Sequence, residues 1–202
     1  MSGIHITENH VYYIDGVIIP SVTQIITEAG LTNFSKCSEE VLERARDFGS
    51  NVHLACKYWD EQKLNEKTLD GNIRPYLDGW IKFTKEIKPM WSNTETPLYS
   101  KKYGFAGTPD RIGILNKCKV IVDIKTSSVV SASTAIQLAG YEILSSATLI
   151  KRYSVKLEPD KYTLREYTDR IDTNVFLSCL QLYRWKEKNN LVDKFYESTE
   201  TI

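Results

Sequence analysis

The middle of the chain carries the clearest pattern of apolar and polar positions. Residues 120–124, Val120-Ile121-Val122-Asp123-Ile124, are apolar at both parities until a carboxylate interrupts them, as in a central strand covered on both faces. Alternation puts Asp123 and Lys125 on one face together with Ile121, and Val120, Val122 and Ile124 on the other. Just upstream, Gly107-Thr108-Pro109-Asp110 leads into a short apolar hairpin, so two neighbouring strands each carry an acid at one end.

Around this centre the periodicities predict a mixed succession of elements. Positions 11–19 alternate about Asp15-Gly16, a two-residue hairpin signal. Pro20 ends the strand, and Ser21-x-x-Gln24 is a capping-box pattern opening a short helix through Ala29, stopped by Gly30. Ser38 is the expected N-cap of a second helix, whose apolar stripe is Val41, Ala45, Phe48, Val52, Ala55 and Trp59. After a polar break, a helix from Ile73 to Lys88 turns Ile73, Tyr76, Leu77, Trp80, Phe83 and Ile87 inward, and Pro89 closes it. Residues 95–103 read as a strand running into turns at Gly104 and Gly107. Residues 131–150 open with small polar residues and place Ala135, Leu138, Ala139, Ile143 and Leu144 on one helical stripe. A hairpin, 152–157 and 162–167, follows around Glu158-Pro159-Asp160-Lys161. A last helix, 173–189, packs Val175, Leu177, Leu180, Leu182, Tyr183 and Trp185, with a loose tail over 197–202.

Composition narrows the class. With 202 residues, 42% of them hydrophobic, the chain can bury a full core as a single unit. No apolar run is long enough to span a bilayer, and the first residues lack the basic and apolar regions of a secretory signal, so a soluble protein of the cytoplasm is expected. Cys37, Cys56, Cys118 and Cys179 are widely spaced and read as reduced thiols. Twenty-six basic and 26 acidic residues cancel, so global charge points to no partner.

The chemistry sits with the two acids. Asp110 and Asp123 can hold a hard divalent cation between them, with the Ile124 main-chain carbonyl as a third oxygen, because magnesium takes oxygen ligands and keeps several waters. Such a cation acidifies water, and Lys125 can orient that water or neutralise charge building on a phosphoryl group. A lone D-x-K is also what a buried Asp–Lys ion pair looks like. Gln137 and Tyr141 stand four residues apart on the helix that follows and so share a face. Arg44, Arg46, Lys82, Lys85 and Lys88 are candidate phosphate contacts or simply solvated surface, and Tyr58, Trp59 and Trp91 could stack on bases, with core packing favoured for the tryptophans.

The order G-x-x-D at Asp110, D-x-K at Asp123 and Lys125, and Q-x-x-x-Y at Gln137 and Tyr141 resembles the RecB-like branch of the PD-(D/E)XK nuclease superfamily. Phe48-Gly49-Ser50-Asn51-Val52-His53 is similar to that branch's G-x-x-x-H helix, and residues 11–23 look like the opening of its phage-type exonucleases. The resemblance implies an α/β fold: a restriction-endonuclease-like core with a mixed central sheet flanked by helices, plus an N-terminal β-hairpin and helices. It implies a single nuclease domain over 1–202: hairpin and helices to 92, catalytic sheet from 93 to 170, and a C-terminal helix and tail beyond. Asp110, Asp123, Lys125, Gln137 and Tyr141 would be catalytic, and His53, Asp110, Asp123 and Ile124 would bind Mg2+ or Mn2+; Glu95 could add a carboxylate. No iron–sulfur cluster is expected, since such clusters need grouped thiolates. The implied activity is exonucleolytic hydrolysis of DNA in phage or mobile-element recombination, replication or repair. It would act in the host cytoplasm, with a single-strand-binding or annealing protein as candidate partner. A structure-selective or nicking endonuclease and a non-catalytic DNA-binding relative remain the alternatives.

Overall fold

The computed structural model of the protein describes residues 4–7, 11–32, 38–147 and 149–192. Its first unit is a three-stranded antiparallel ribbon of β1 (Ile4–Ile6), β2 (Tyr12–Ile14) and β3 (Val17–Ile19). Asp15 and Gly16 both take positive φ, 51° and 80°, the twist that lets a two-residue turn close a hairpin. The Ser21 hydroxyl accepts from the Gln24 amide at 3.0 Å and caps α1 (Val22–Glu28), as its sequence pattern requires.

Two long helices follow, α2 (Glu39–Asp60) and α3 (Arg74–Ile87), and then strands β4 (Met90–Thr94), β5 (Leu98–Ser100), β6 (Phe105–Gly107), β7 (Arg111–Leu115) and β8 (Cys118–Lys125). Helix α4 (Ser133–Ser145) crosses over to β9 (Lys151–Glu158), which turns back as β10 (Lys161–Tyr167) before α5 (Ile171–Lys188). The central sheet has the order β10-β9-β8-β7-β4 and is mixed: β8 and β9 are parallel through the α4 crossover, and every other neighbouring pair is antiparallel. This is the mixed α/β class that the sequence led to. No helix among the described residues is long and apolar enough to cross a membrane.

Strand β8 divides the core. Ile121 packs with α1, α4 and α5 through Val22, Leu138 and Phe176, whereas Val120, Val122 and Ile124 pack with α2 and α3 through Val52, Leu77 and Trp80. All four β8 side chains are fully buried, worth roughly 1.5–3 kcal/mol each.

Several expectations are corrected. The strand predicted over 95–103 is broken: Lys101–Gly104 is a turn, and the element that pairs with β7 is β4, which begins at Met90. Its irregular pairing near Ser92 hid it from any alternation test. The stripe of α2 is buried only in its second half; Val41 is 54% exposed and Ala45 is exposed, because contact with α3 starts at the Phe48–Tyr76 ring pair. Ser38 occupies the N-cap position without a capping hydrogen bond from its side chain. Helix α4 stops at Ser145, where Ser146 turns left-handed (φ 49°), rather than running to 150. In α5 the buried positions are Phe176, Cys179, Leu180 and Tyr183, and the phase that buries them leaves Leu182 and Trp185 exposed. Cys37 and the 197–202 tail lie outside the described residues.

The seating of α3 on the β9–β10 turn depends on Gly79. A Cβ there would stand 2.4 Å from the Lys161 carbonyl oxygen, whereas a Cβ on Gly71 would meet nothing. Gly79→Ala should therefore cost about 1–3 kcal/mol in urea unfolding, with Gly71→Ala close to wild type as the control. Equal midpoints for Gly79→Ala and wild type would contradict this packing.

Candidate functional site

The site grows out of the pairing of β7 with β8. Their last ladder pair, Arg111 with Val122, puts Asp110 one step further on, beside Asp123. The Ile124 amide donates to Asp110 Oδ2 at 2.6 Å, a bond to a carboxylate that fixes this acid against the neighbouring strand. His53 reaches over from α2, with Nδ1 3.3 Å from Asp110 Oδ1. A Cβ on Gly49, one turn earlier, would lie 3.5 Å from the Thr126 hydroxyl, so that helix runs close past the end of β8.

On the same face as Asp123, the Lys125 ammonium stands 2.9 Å from Asp123 Oδ2 and donates to Gln137 Oε1 at 3.1 Å; Gln137 Nε2 in turn donates to the Tyr141 hydroxyl at 3.1 Å. The chain of contacts thus runs from β8 into α4. Ile124, expected to offer its carbonyl, lies between the acid and the lysine with its side chain in the core and its amide on Asp110. The structure brings His53, Asp110, Asp123, Lys125, Gln137 and Tyr141 into one cluster.

The charges explain one another. Burial works against ionisation of Asp110, but His53, the Ile124 amide and Lys125 outweigh it and hold the carboxyl below its usual range. Asp123 moves the other way: burial raises it, Lys125 only partly offsets that, and the neighbouring Asp110 raises it further. Burial opposes the charge on Lys125, yet Asp123 and Asp110 keep its pKa above the ordinary value, so it is an ammonium. Tyr141 is pushed well up by burial and by both acids, and remains a neutral phenol.

Asp123 Oδ2 is a buried oxygen without a well-formed hydrogen bond. A buried carboxylate oxygen faced by a single ammonium, next to a second carboxylate, is a donor set that suits a hard cation. Among the described residues no three His, Cys, Asp or Glu side chains converge into a ready-made cage, so a cation held here would also need water or substrate oxygens.

Behind the site lies a network that sequence reading missed. Arg111 is fully buried; its Nε donates to Asp60 Oδ2 at 2.8 Å and its Nη1 to the Asp110 carbonyl at 2.7 Å, while the Trp80 indole donates to Asp60 Oδ1 at 3.0 Å. The signal was an arginine in phase with Gly113 and Leu115, on a strand face that should be apolar. Glu95 belongs to this network: its carboxylate stands 3.4 Å from Lys57 and 3.6 Å from Arg111, and its amide donates to the Asp110 carbonyl at 3.0 Å. Trp91 stacks on Trp80 at 5.9 Å and Trp59 packs in the same core cluster, whereas Tyr58 is exposed. Arg44 and Arg46 are tied to Glu40 and Glu39 on the surface, and Lys82, Lys85 and Lys88 are exposed.

No family model and no curated protein matches the chain. Among solved structures, it is similar to a candidate exonuclease from Eubacterium rectale, with a TM-score of 0.51 and 13% identity over 87% of this chain and 83% of that one. It also matches an alkaline exonuclease from Laribacter hongkongensis, with a TM-score of 0.40 and 12% identity over 84% of this chain and 91% of the other. At such identity the first likeness is one of fold.

The His53–Asp110 contact sets a pH dependence for the metal-free protein. Burial alone would lower the His53 pKa, but the charge and hydrogen bond of Asp110 reverse this and hold it above 6.5. A raised folded-state pKa stabilises the fold fully below the unfolded value and ceases to do so as pH rises through the folded value. Chelator-treated protein should therefore lose stability upward from about pH 6.5, and His53→Asn should flatten that fall. An unchanged slope in His53→Asn would remove the proposed ion pair.

Proposed function

We propose that the protein is a divalent-metal-dependent deoxyribonuclease of the PD-(D/E)XK type, in its RecB-like branch, degrading DNA from its ends. The observation that carries this reading is the convergence of Asp110, Asp123 and Lys125 at the joined ends of β7 and β8, with Lys125 held by both Asp123 and Gln137. A purely structural ion pair would need one acid, not two acids side by side.

In this reading Asp110, Asp123, the Ile124 carbonyl and His53 would hold Mg2+ or Mn2+ together with water or substrate oxygens, and the cation would supply charge to acidify water and to neutralise phosphoryl oxygens. The chain's own residues do the rest. Lys125, an ammonium held from two sides, orients the attacking water and meets the negative charge that grows on the phosphoryl group. Gln137 fixes the lysine's direction, and Tyr141 fixes Gln137. Asp123 is buried and the Asp110 side chain is only 14% exposed, so these interactions are screened less than they would be in water.

Preference for DNA ends is supported by the ribbon. The Tyr12 and Thr108 hydroxyls share a hydrogen bond of 2.8 Å, so the ribbon is pinned beside the segment that leads into Asp110, a place from which it would narrow the approach. The candidate exonuclease from Eubacterium rectale, alike in fold, agrees with this. Phage or mobile-element DNA metabolism, and an annealing or single-strand-binding partner, follow from the family resemblance.

Purified protein with Mg2+ or Mn2+ should degrade linear DNA progressively and spare covalently closed circles. Chelator should stop the reaction, and calcium should not support it. Asp123→Ala and Lys125→Ala should each lower the rate on the order of a hundredfold or more while retaining DNA binding. Rapid linearisation of closed circles, lost in Asp123→Ala, would make the protein an endonuclease instead. Near wild-type cleavage by Lys125→Ala would sink the site assignment altogether.

A further inference from the structure

The sheet face that bears Asp123 and Lys125 continues sideways beyond the cluster. The parallel register of β8 and β9 sets Asp123 beside Ser154 and Lys125 beside Lys156, and the antiparallel register of β9 and β10 sets Ser154 beside Arg165. Partners in register share a face, so Lys125, Lys156 and Arg165 all emerge on the side of the site. Helix α4 covers the rear of this face, where Arg152 and Ser154 are fully buried, and leaves its front open: Arg165 is exposed and the Lys156 side chain is 20% exposed.

Two features of this strip call for an anion. Like charges directly across neighbouring strands destabilise a sheet, yet Lys125 and Lys156 stand in that relation. The acids nearest to them are Asp123 and Asp110 on the side of Lys125 and the half-exposed Glu158, 3.3 Å from Lys156. Arg165 is also held in place: its guanidinium lies 4.9 Å over the Tyr167 ring, and the Tyr167 hydroxyl is anchored on Ser154 at 3.1 Å. The remaining acid of β10, Glu166, has the other parity and is paired with Lys151 at 3.0 Å. The strip from β8 to β10 spans two strand spacings, about 10 Å, the width of one phosphodiester backbone and less than that of a duplex.

Resting on the nuclease reading, we infer that Lys156 and Arg165 form a phosphate track that carries a single DNA strand across β9 and β10 next to the scissile position. The phosphate nearest the reacting one lies between Lys125 and Lys156, where it separates the two ammonium groups, and its neighbour meets the guanidinium of Arg165. The track reads no base, so it contributes affinity and direction without sequence preference.

The test is equilibrium binding of a fluorescent oligothymidylate to full-length Asp123→Asn protein, which cannot cut, over about 50–200 mM salt. Adding Lys156→Ala and Arg165→Ala together should weaken binding on the order of tenfold and reduce the slope of log affinity against log salt by about 1.4, since each phosphate contact on a single strand contributes about 0.7. Arg165→Lys alone should keep the parent slope and Arg165→Ala alone should reduce it by about 0.7, whereas a role limited to stacking on Tyr167 would leave the slope unchanged in both. Superimposable slopes for the parent and the double variant would overturn the track and leave the nuclease reading standing. Failure of the Asp123→Asn parent to bind DNA at any salt would overturn both.

Discussion

The hydrogen bond from the Ile124 amide to the Asp110 carboxylate, 2.6 Å long, ties the ends of two strands together at the point where both carry acids. The β7–β8 ladder sets Asp110 beside Asp123, and this bond holds the Asp110 carboxylate there, where two adjacent carboxylates would otherwise move apart or take up a proton. The rest of the architecture follows from holding that closure. Core packing on both faces of β8 stops it from shifting register, and a slip of one residue would send Asp123 and Lys125 to the wrong face.

Two charge networks meet at Asp110 from opposite sides. Arg111 and the Glu95 amide both donate to its main-chain carbonyl, and Asp60, Trp80 and Lys57 extend that set, in which Arg111 Nη2 and Glu95 Oε1 are buried without a hydrogen bond. On the other side the Asp110 side chain joins a set that is left incomplete, with Asp123 Oδ2 buried and poorly satisfied. The two sets differ in what they hold: the Arg111 network grips the Asp110 main-chain carbonyl, whereas the other side brings two carboxylates together, oxygen donors of the kind that a cation would engage.

Much of this was legible in the chain. Burial on both faces of β8 matches the apolar residues at both parities around Asp123, and period two alone put Asp123 and Lys125 together. The four-residue spacing of Gln137 and Tyr141 likewise predicted a shared helical face, and in the structure they are joined by a hydrogen bond. What escaped was set by tertiary contacts. Arg111 looks like a surface residue until Asp60, 51 positions earlier, is brought against it. Strand β4 lacks alternation because its pairing is irregular at Ser92, and Leu182 and Trp185 were misplaced because apolar character was followed without the phase set by Phe176 and Leu180. The Lys125–Lys156 adjacency needs the parallel register across the α4 crossover, and the chain alone does not specify that register.

The central claim is that Asp110 and Asp123 together hold a divalent cation. Anomalous diffraction from crystals grown with manganese addresses this directly. A single strong peak is expected about 2.0–2.2 Å from a carboxylate oxygen of each of Asp110 and Asp123, and it should vanish in Asp123→Asn crystals that keep the same fold. At saturating manganese, the lack of a peak between these two acids, or a peak that survives Asp123→Asn, would contradict it.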